Sequence, residues 1–198
     1  ARLRHPAVVP IYEVGQFDGI PFYTMPFIEG SNLSEYLERE KPSLGESLRI
    51  FRRICQVVNI LHADGLIHRD LKPENVMIDN FGEVSLLDFG LAIENLKKGH
   101  YSEDGAVVGT LRYMSPEQAR GVAISEMGTE TDVFSISMIG FRMFSGGFPF
   151  ELPEAKLPAI AKAAECPIDP APLLRSDCPR DVREAILRGL ERDRQYRA

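Results

Sequence analysis

Tryptophan is absent from this 198-residue sequence, and cysteine occurs only three times. The cysteines, Cys55, Cys166 and Cys178, are widely separated and match no metal-ligand spacing, which argues against a disulfide-stapled secreted domain and against a structural zinc site. No run approaches the roughly 18 consecutive apolar residues of a membrane-spanning helix, and the first residues lack the apolar core of a signal peptide. We therefore expect unpaired thiols in a reducing compartment and no membrane contact within this segment.

Positive charge is also scarce. The chain has 23 Lys and Arg against 29 Asp and Glu, a formal charge of -6, and its basic residues are scattered. Because nucleic-acid binding depends on neutralising phosphates with Lys and Arg, this balance argues against a general nucleic-acid binder. The hydrophobic share of 44% is ordinary for a globular protein, and the length suffices for one domain with a sizeable core. No internal repeat, low-complexity tract or interdomain linker is evident.

Three short motifs follow one another in the middle of the chain. They are His-Arg-Asp-Leu-Lys-Pro-Glu-Asn at 68–75, Asp-Phe-Gly at 88–90 and Ser-Pro-Glu at 115–117. Each alone is weak evidence, since an Asp after an Arg is usually a surface ion pair and an Asn near a turn usually caps it. In this order and at these spacings, however, the set resembles the signature of the protein kinase family. The resemblance implies an α+β fold with a mostly helical large lobe and a β-rich small lobe.

The same resemblance implies a role for each polar residue of these motifs. Asp70 would accept or orient the proton of the attacking hydroxyl, and Lys72 would offset charge on the transferred phosphoryl group. Asn75 and Asp88 would hold Mg²⁺ through an amide oxygen and a carboxylate, which are hard ligands for a hard cation. His68 would pack and hydrogen-bond behind the loop rather than act as an acid or base. The implied cofactors are ATP and Mg²⁺, in a reaction that depends on positioning and electrostatics.

A β-hairpin is predicted to carry the two metal ligands. Short apolar runs at 76–78 and 84–87 flank a turn at 79–82, the pattern of two antiparallel strands. Asn75 stands at the entrance of this hairpin and Asp88 at its exit. The hairpin would therefore bring both residues to one site.

Four residues are assigned to adenine binding by the resemblance. Met25 matches the gatekeeper position, and the hinge follows at 26–28. Adenine would be held by the carbonyl of Pro26 and the N–H of Ile28; proline has no N–H, but only its carbonyl is needed. Met77 would form the floor beneath the ring. Met25 could equally be an ordinary core residue.

The front of the chain is short for such a fold. Two strands are predicted, over 8–14 and 21–27, around a turn at 16–19. The family's Gly-rich loop, its phosphate-binding lysine and the helix glutamate that holds this lysine have no counterpart among the 198 residues. We therefore expect an N-terminally truncated catalytic domain that is inactive alone, with residues 1–28 as a remnant of the small lobe and 29–198 as the large lobe.

Helical periodicity predicts the main elements of the large lobe. Ser43 and Glu46 form a capping-box pattern ahead of apolar residues at helical spacing, which end at Asp64-Gly65. Leu66-Ile67 is interpreted as a short buried strand that leads into the 68–75 motif. Further helices are predicted within 132–144, 153–165 and 179–190.

Two remote contacts are expected. A buried aspartate is costly unless it is paired, and in the family the residue matching Asp132 bonds the backbone of the catalytic loop. Capping of its own helix is a compatible alternative. Glu117 resembles a buried glutamate that pairs with a late arginine, and Arg197 stands where that arginine is expected.

Lys72 and Thr110 resemble the serine/threonine subclass, in which the threonine hydroxyl bonds the catalytic aspartate and lysine. The run 113–121 resembles bacterial eukaryotic-like serine/threonine kinases. This implies a protein partner bearing Ser or Thr, and a cytoplasmic location, either alone or as the cytoplasmic part of a longer membrane-anchored chain.

Two alternatives to a protein kinase remain open. A pseudokinase or interaction module is supported only by the missing front, and a small-molecule phosphotransferase would lack the activation segment 88–117.

Overall fold

The computed structural model describes residues 9–18, 20–87 and 111–197. Strands and helices are mixed along these residues, as the α+β prediction requires. The strands are β1 (Glu13–Phe17), β2 (Ile20–Thr24), β3 (Gly30–Asn32), β4 (Val76–Asp79) and β5 (Val84–Leu86). The helices are α1 (Leu33–Glu40), α2 (Leu44–Ala63), α3 (Pro116–Ala119), α4 (Glu130–Ser145), α5 (Lys156–Glu165), α6 (Ala171–Leu174) and α7 (Arg180–Gly189).

The first two strands form an antiparallel hairpin whose bounds differ from the prediction. The predicted strands at 8–14 and 21–27 are replaced by 13–17 and 20–24, in a register that pairs Phe17 with Ile20. Only residues 18 and 19 separate the strands, because Asp-Gly favours a two-residue hairpin turn and Asp18 adopts a φ of 49°. Gly15 in β1 makes room for the ring of Phe22 on β2, which would have to shift for a Cβ placed 2.6 Å from it.

A second antiparallel sheet has the order β3-β4-β5. Its β4–β5 hairpin confirms the prediction, and the Asp79 carboxylate closes the turn by accepting the N–H groups of Phe81 and Glu83, both at 2.8 Å. Strand β3 was not predicted, because Gly-Ser-Asn lacks any apolar alternation. A Cβ on Gly30 would lie 2.1 Å from the carbonyl oxygen of Ile78, so only glycine lets β3 approach β4 this closely.

Helix α2 begins and ends where its sequence predicts. The Ser43 hydroxyl accepts the N–H of Glu46 at 3.3 Å, and Gly65 ends the helix in the left-handed region with a φ of 74°. The N–H of Leu66 returns to the carbonyl of Leu61 at 2.9 Å. This bond makes Leu66 part of the helix-terminating turn, and its side chain is 40% exposed. The prediction of a short buried strand at Leu66-Ile67 is therefore wrong.

Helix α4 runs through the core and confirms the predicted buried helix. It packs against α2 and α7, and it ends at Gly146, which has a φ of 74°. Gly140 allows this packing, since a Cβ there would lie 2.7 Å from the ring of Phe51 and 3.0 Å from Ile186. The predicted helices within 153–165 and 179–190 correspond to α5 and α7. None of the helices among the described residues is both long enough and apolar enough to span a bilayer.

Candidate active site

Asp132, in the first turn of α4, anchors the backbone of the 68–75 loop. This carboxylate is completely buried, and it accepts the backbone N–H of His68 at 2.8 Å and that of Arg69 at 2.7 Å. His62, in the last turn of α2, lies with Nε2 at 2.8 Å from the same carboxylate. Because a carboxylate only accepts, Nε2 must carry the proton. The predicted contact between Asp132 and the loop backbone is confirmed.

Arg69 is held at both of its main-chain polar groups. Its φ of 66° lies in the left-handed region, which is uncommon for a residue with a side chain. Asp132 accepts its N–H, and the Gln118 side-chain amide donates to its carbonyl at 2.7 Å. These two bonds fix the orientation of the peptide that leads into Asp70.

The imidazole of His68 is also fixed on both sides. Nδ1 lies 3.3 Å from the N–H of Asp70, and Nε2 lies 2.8 Å from the carbonyl of Leu87. The first contact requires Nδ1 to accept and the second requires Nε2 to donate, so the ring is neutral. Burial also lowers its pKa, although the charge of Asp132 acts in the opposite direction. His68 therefore links the loop to the end of β5.

Two predicted site residues, Asn75 and Lys72, contact a third, Asp70. Asn75 donates from Nδ2 to the Asp70 carbonyl at 2.7 Å and to its Oδ2 at 3.1 Å, and Lys72 places Nζ 3.1 Å from the same Oδ2. Asn75 is buried, whereas Asp70 and Lys72 are partly exposed. Because Nδ2 of Asn75 is committed to Asp70, Oδ1 is the atom left for a cation.

Asp88 and Thr110 lie outside the described residues. The residue before Asp88 is placed, however: the N–H of Leu87 donates to the carbonyl of Asn75 at 2.9 Å. Across the described part of the chain, no group of three or more His, Cys, Asp or Glu side chains is placed to hold a metal ion.

The four adenine residues lie along the connection between the two sheets and on β4. Met25 is exposed at the end of β2, and Pro26 and Ile28 are partly buried in the segment that follows. Met77 pairs with Ser85 of β5 and with Asn32 of β3. Their contact with a nucleotide stays a prediction.

Glu117 and Arg197 confirm the predicted remote pair. Two hydrogen bonds join the guanidinium to the carboxylate, at 2.8 and 3.0 Å, and Thr131 donates to the same carboxylate at 3.0 Å. Burial of Glu117 raises the pKa of its carboxyl, but the hydrogen bonds and charge of Arg197 outweigh this and bring that pKa below its ordinary value. The pair fastens α3 to the end of the described chain.

Sequence reasoning missed Gln118, although a local signal was present. Ser115 and Gln118 form a reciprocal capping box around α3, in which Ser115 Oγ accepts the N–H of Gln118 and Gln118 Oε1 accepts the N–H of Ser115 at 3.0 Å. The Ser-x-x-Gln spacing predicts this cap. It does not predict the bond from Gln118 to Arg69, which lies 49 positions earlier.

Comparisons with known proteins agree with these features. The family model described as Protein kinase domain matches residues 1–198. Serine/threonine-protein kinase PknD of Chlamydia abortus is 30% identical over 225 aligned positions, which cover 100% of this chain and 24% of that protein. Probable serine/threonine-protein kinase PknB of Lactococcus lactis is 35% identical over 152 positions, covering 76% of this chain and 24% of that protein.

Serine/threonine-protein kinase PrkC of Bacillus subtilis is 30% identical over 196 positions, covering 98% of this chain and 30% of that protein. These matches confirm the resemblance to bacterial serine/threonine kinases. The chain spans 24% to 30% of the length of these three curated relatives.

Proposed function

Because the chain belongs to the protein kinase domain family, we propose that it carries the catalytic loop for transfer of the ATP γ-phosphate to Ser or Thr hydroxyls of a protein. One observation carries this proposal. Lys72 Nζ and Asn75 Nδ2 each lie 3.1 Å from Oδ2 of Asp70, on a loop whose backbone is bonded to Asp132. This arrangement supports a reaction that depends on positioned charge.

Each residue then has a defined task. Asp70 accepts a hydrogen bond from the attacking hydroxyl and takes up its proton, while Lys72 turns its ammonium toward the phosphoryl oxygens and offsets their charge. The Asn75 amide oxygen and the Asp88 carboxylate suit Mg²⁺, since both are hard oxygen donors. When bound, the cation supplies positive charge beside the phosphate oxygens. The Thr110 hydroxyl would bond Asp70 and Lys72 and join the substrate loop to the reaction centre.

Nucleotide binding follows the same assignment. The carbonyl of Pro26 and the N–H of Ile28 would hold adenine at its edge, and Met25 and Met77 would contact the ring. We propose residues 1–28 as part of the small lobe and 29–198 as the large lobe. This division is supported by the two separate sheets, because β1 and β2 lie before the boundary and β3 lies directly after it.

We also propose a cytoplasmic location, either for the chain alone or for the cytoplasmic part of a longer membrane-anchored protein. ATP and Mg²⁺ are available there. The three cysteines are free thiols, as predicted, and unpaired cysteines are the norm in a reducing compartment.

The test compares two forms of the protein. The extended protein carries a Gly-rich strand pair and a lysine ahead of Ala1, supplied by the small lobe of a relative. We expect radiolabelled phosphate transfer from the extended protein with Mg²⁺, and little from the 198 residues alone. Equal rates from both forms would contradict the need for the added segment.

Asp70→Asn and Asp88→Asn should each lower turnover of the extended protein about a hundredfold or more, since each removes a positioned charge. Asp177→Asn is the matched control, because Asp177 is an exposed carboxylate outside the site. Near-normal turnover of an Asp70 or Asp88 variant at saturating ATP would overturn that residue's role. If the wild-type extended protein transfers no phosphate to any protein, an interaction module is the better description.

A further inference from the structure

Two arginines, Arg112 and Arg142, share the ring of Phe148. The Cζ atom of Arg112 lies 4.6 Å from the ring centroid of Phe148, and that of Arg142 lies 5.1 Å from it. Both distances fall within the range of cation–π attraction. Tyr113 packs edge-on against the same ring at 5.7 Å between centroids. Both guanidiniums therefore lie against the same ring, and each is partly removed from water.

The N–H groups of both guanidiniums are largely uncommitted. Among the described residues neither guanidinium makes a hydrogen bond; their polar contacts are ion pairs, Arg112 with Glu151 at 3.6 Å and Arg142 with Glu38 at 3.9 Å. The two glutamate side chains are 89% and 74% exposed, so these pairs contribute little and are readily displaced. The arginine side chains themselves are only 23% and 29% exposed, which strengthens their attraction for an anion.

Neighbouring residues connect the cluster to the proposed reaction centre. Arg112 lies two residues after Thr110, and the carbonyl of Tyr113 accepts the Ser135 hydroxyl at 2.9 Å, which ties this stretch to α4. Burial raises the pKa of the Tyr113 hydroxyl, and the neighbouring charges of Arg142, Glu74 and Arg112 also act on it. Glu74 directly precedes Asn75, which hydrogen-bonds to Asp70. A peptide whose hydroxyl reaches Asp70 would thus pass close to the two arginines.

We propose that Arg112 and Arg142, held on Phe148, bind an anionic side chain of the protein substrate near its acceptor Ser or Thr. The ligand is a carboxylate or a phosphate, because a planar guanidinium can bond either through paired N–H donors. It displaces Glu38 and Glu151 from the arginines. The inference rests on the proposed kinase function and narrows its substrate class to acidic or already phosphorylated segments. Glu74 is the opposing charge at the cluster and weakens the preference.

The test uses the extended protein and one acceptor peptide in four versions, with Glu, phosphoserine, Gln or Lys placed in turn at each position around the acceptor. We expect kcat/KM to be about tenfold higher for the Glu peptide than for the Gln peptide at one or two positions. This ratio corresponds to the contribution of one charged hydrogen bond. The phosphoserine version shows whether a phosphate is preferred to a carboxylate. Raising the salt concentration should shrink both preferences.

Charge reversal separates recognition from packing. Arg142→Glu should abolish the preference for Glu and favour the Lys peptide, and Arg112→Ala should reduce the Glu-to-Gln ratio. Arg52→Ala, which removes an exposed arginine from α2, is the control and should keep the wild-type ratio. Glu74→Gln should increase the ratio. A wild-type ratio near one at every position, or an unchanged ratio in both arginine variants, would overturn the proposal.

A binding measurement keeps this inference distinct from the proposed function. Fluorescence anisotropy of labelled Glu and Gln peptides with the 198-residue chain needs no phosphate transfer. Tighter binding of the Glu peptide that is lost in Arg142→Glu supports the site even if the extended protein has no activity. Equal binding of both peptides, together with normal transfer to the Gln peptide, would leave the kinase function standing and refute the subsite.

Discussion

Gln118 donates its side-chain amide to the main-chain carbonyl of Arg69 at 2.7 Å, and so joins the start of α3 to the residue before Asp70. The same amide group caps α3, because its oxygen accepts the N–H of Ser115. One side chain thus stabilises two segments at once. The geometry of the loop around Asp70 therefore depends on the position of α3.

Gln118→Glu separates these two tasks. A glutamate can still accept the N–H of Ser115, but it has no N–H for the Arg69 carbonyl, and two acceptors then face each other. We expect kcat of the extended protein to fall about tenfold or more, since small displacements of reacting groups are costly, with little change in KM for ATP. Steady-state kinetics measure both constants. An equal loss of melting temperature and activity in Gln118→Glu and in Glu184→Gln, an exposed control, would point to general destabilisation instead.

Asp132→Asn should destabilise the whole domain. The asparagine side chain turns an N–H toward one of three donors that the carboxylate now satisfies, at a completely buried position. Breaking a buried charged network of this kind costs roughly 3–5 kcal/mol of unfolding free energy. Urea denaturation of the 198-residue chain measures it. A loss no greater than that of Asp177→Asn would contradict the anchoring role.

The Glu117–Arg197 pair should make stability depend on pH. The folded state lowers the pKa of the Glu117 carboxyl, so its contribution is full above the ordinary value of 4.5 and is lost as the pH falls through the lower folded value. Unfolding free energies of the wild type and Glu117→Gln should therefore differ most at pH 7. The difference should shrink below pH 4.5. A constant difference from pH 7 to pH 3 would contradict this ionisation.

The three cysteines should react slowly with alkylating reagents in the folded protein. Burial raises the pKa of the Cys55 and Cys166 thiols to about 11, and it raises that of Cys178 as well. The thiolate is the reactive form, so little of it is present at neutral pH. Iodoacetamide labelling followed by mass spectrometry should show modification mainly after addition of urea. Rapid labelling of Cys55 without denaturant would contradict the expected protection.

Local chemistry explains which features the sequence predicts well. The Ser43 cap, the glycine ends of α2 and α4, and the Asp79 turn each depend on residues within a few positions of one another. The Glu117–Arg197 pair spans 80 positions and was expected only from the family resemblance.

Other features have no local signal. Strand β3 contains three small or polar residues, and its backbone is fixed by pairing with residues of β4 that come 45 to 49 positions later. Leu66 and Ile67 are apolar, which favours a strand. The N–H of Leu66 instead donates to the carbonyl of Leu61 in the last turn of α2. The spacing of Ser115 and Gln118 predicts the cap, whereas the contact of Gln118 with Arg69 depends on tertiary structure that brings the 68–75 loop against α3.

The double hydrogen bonding of His68 has a consequence for kinetics. Its ring donates to Leu87 and accepts from Asp70, so protonation of Nδ1 would break the contact with the Asp70 N–H. Burial lowers the pKa of the ring below the ordinary value of 6.5, so the neutral form is favoured at neutral pH. Any inflection that this imidazole gives in a pH–rate profile should therefore lie below pH 6.5, and so should the midpoint of its NMR titration. The catalytic loop would then keep one geometry at neutral pH.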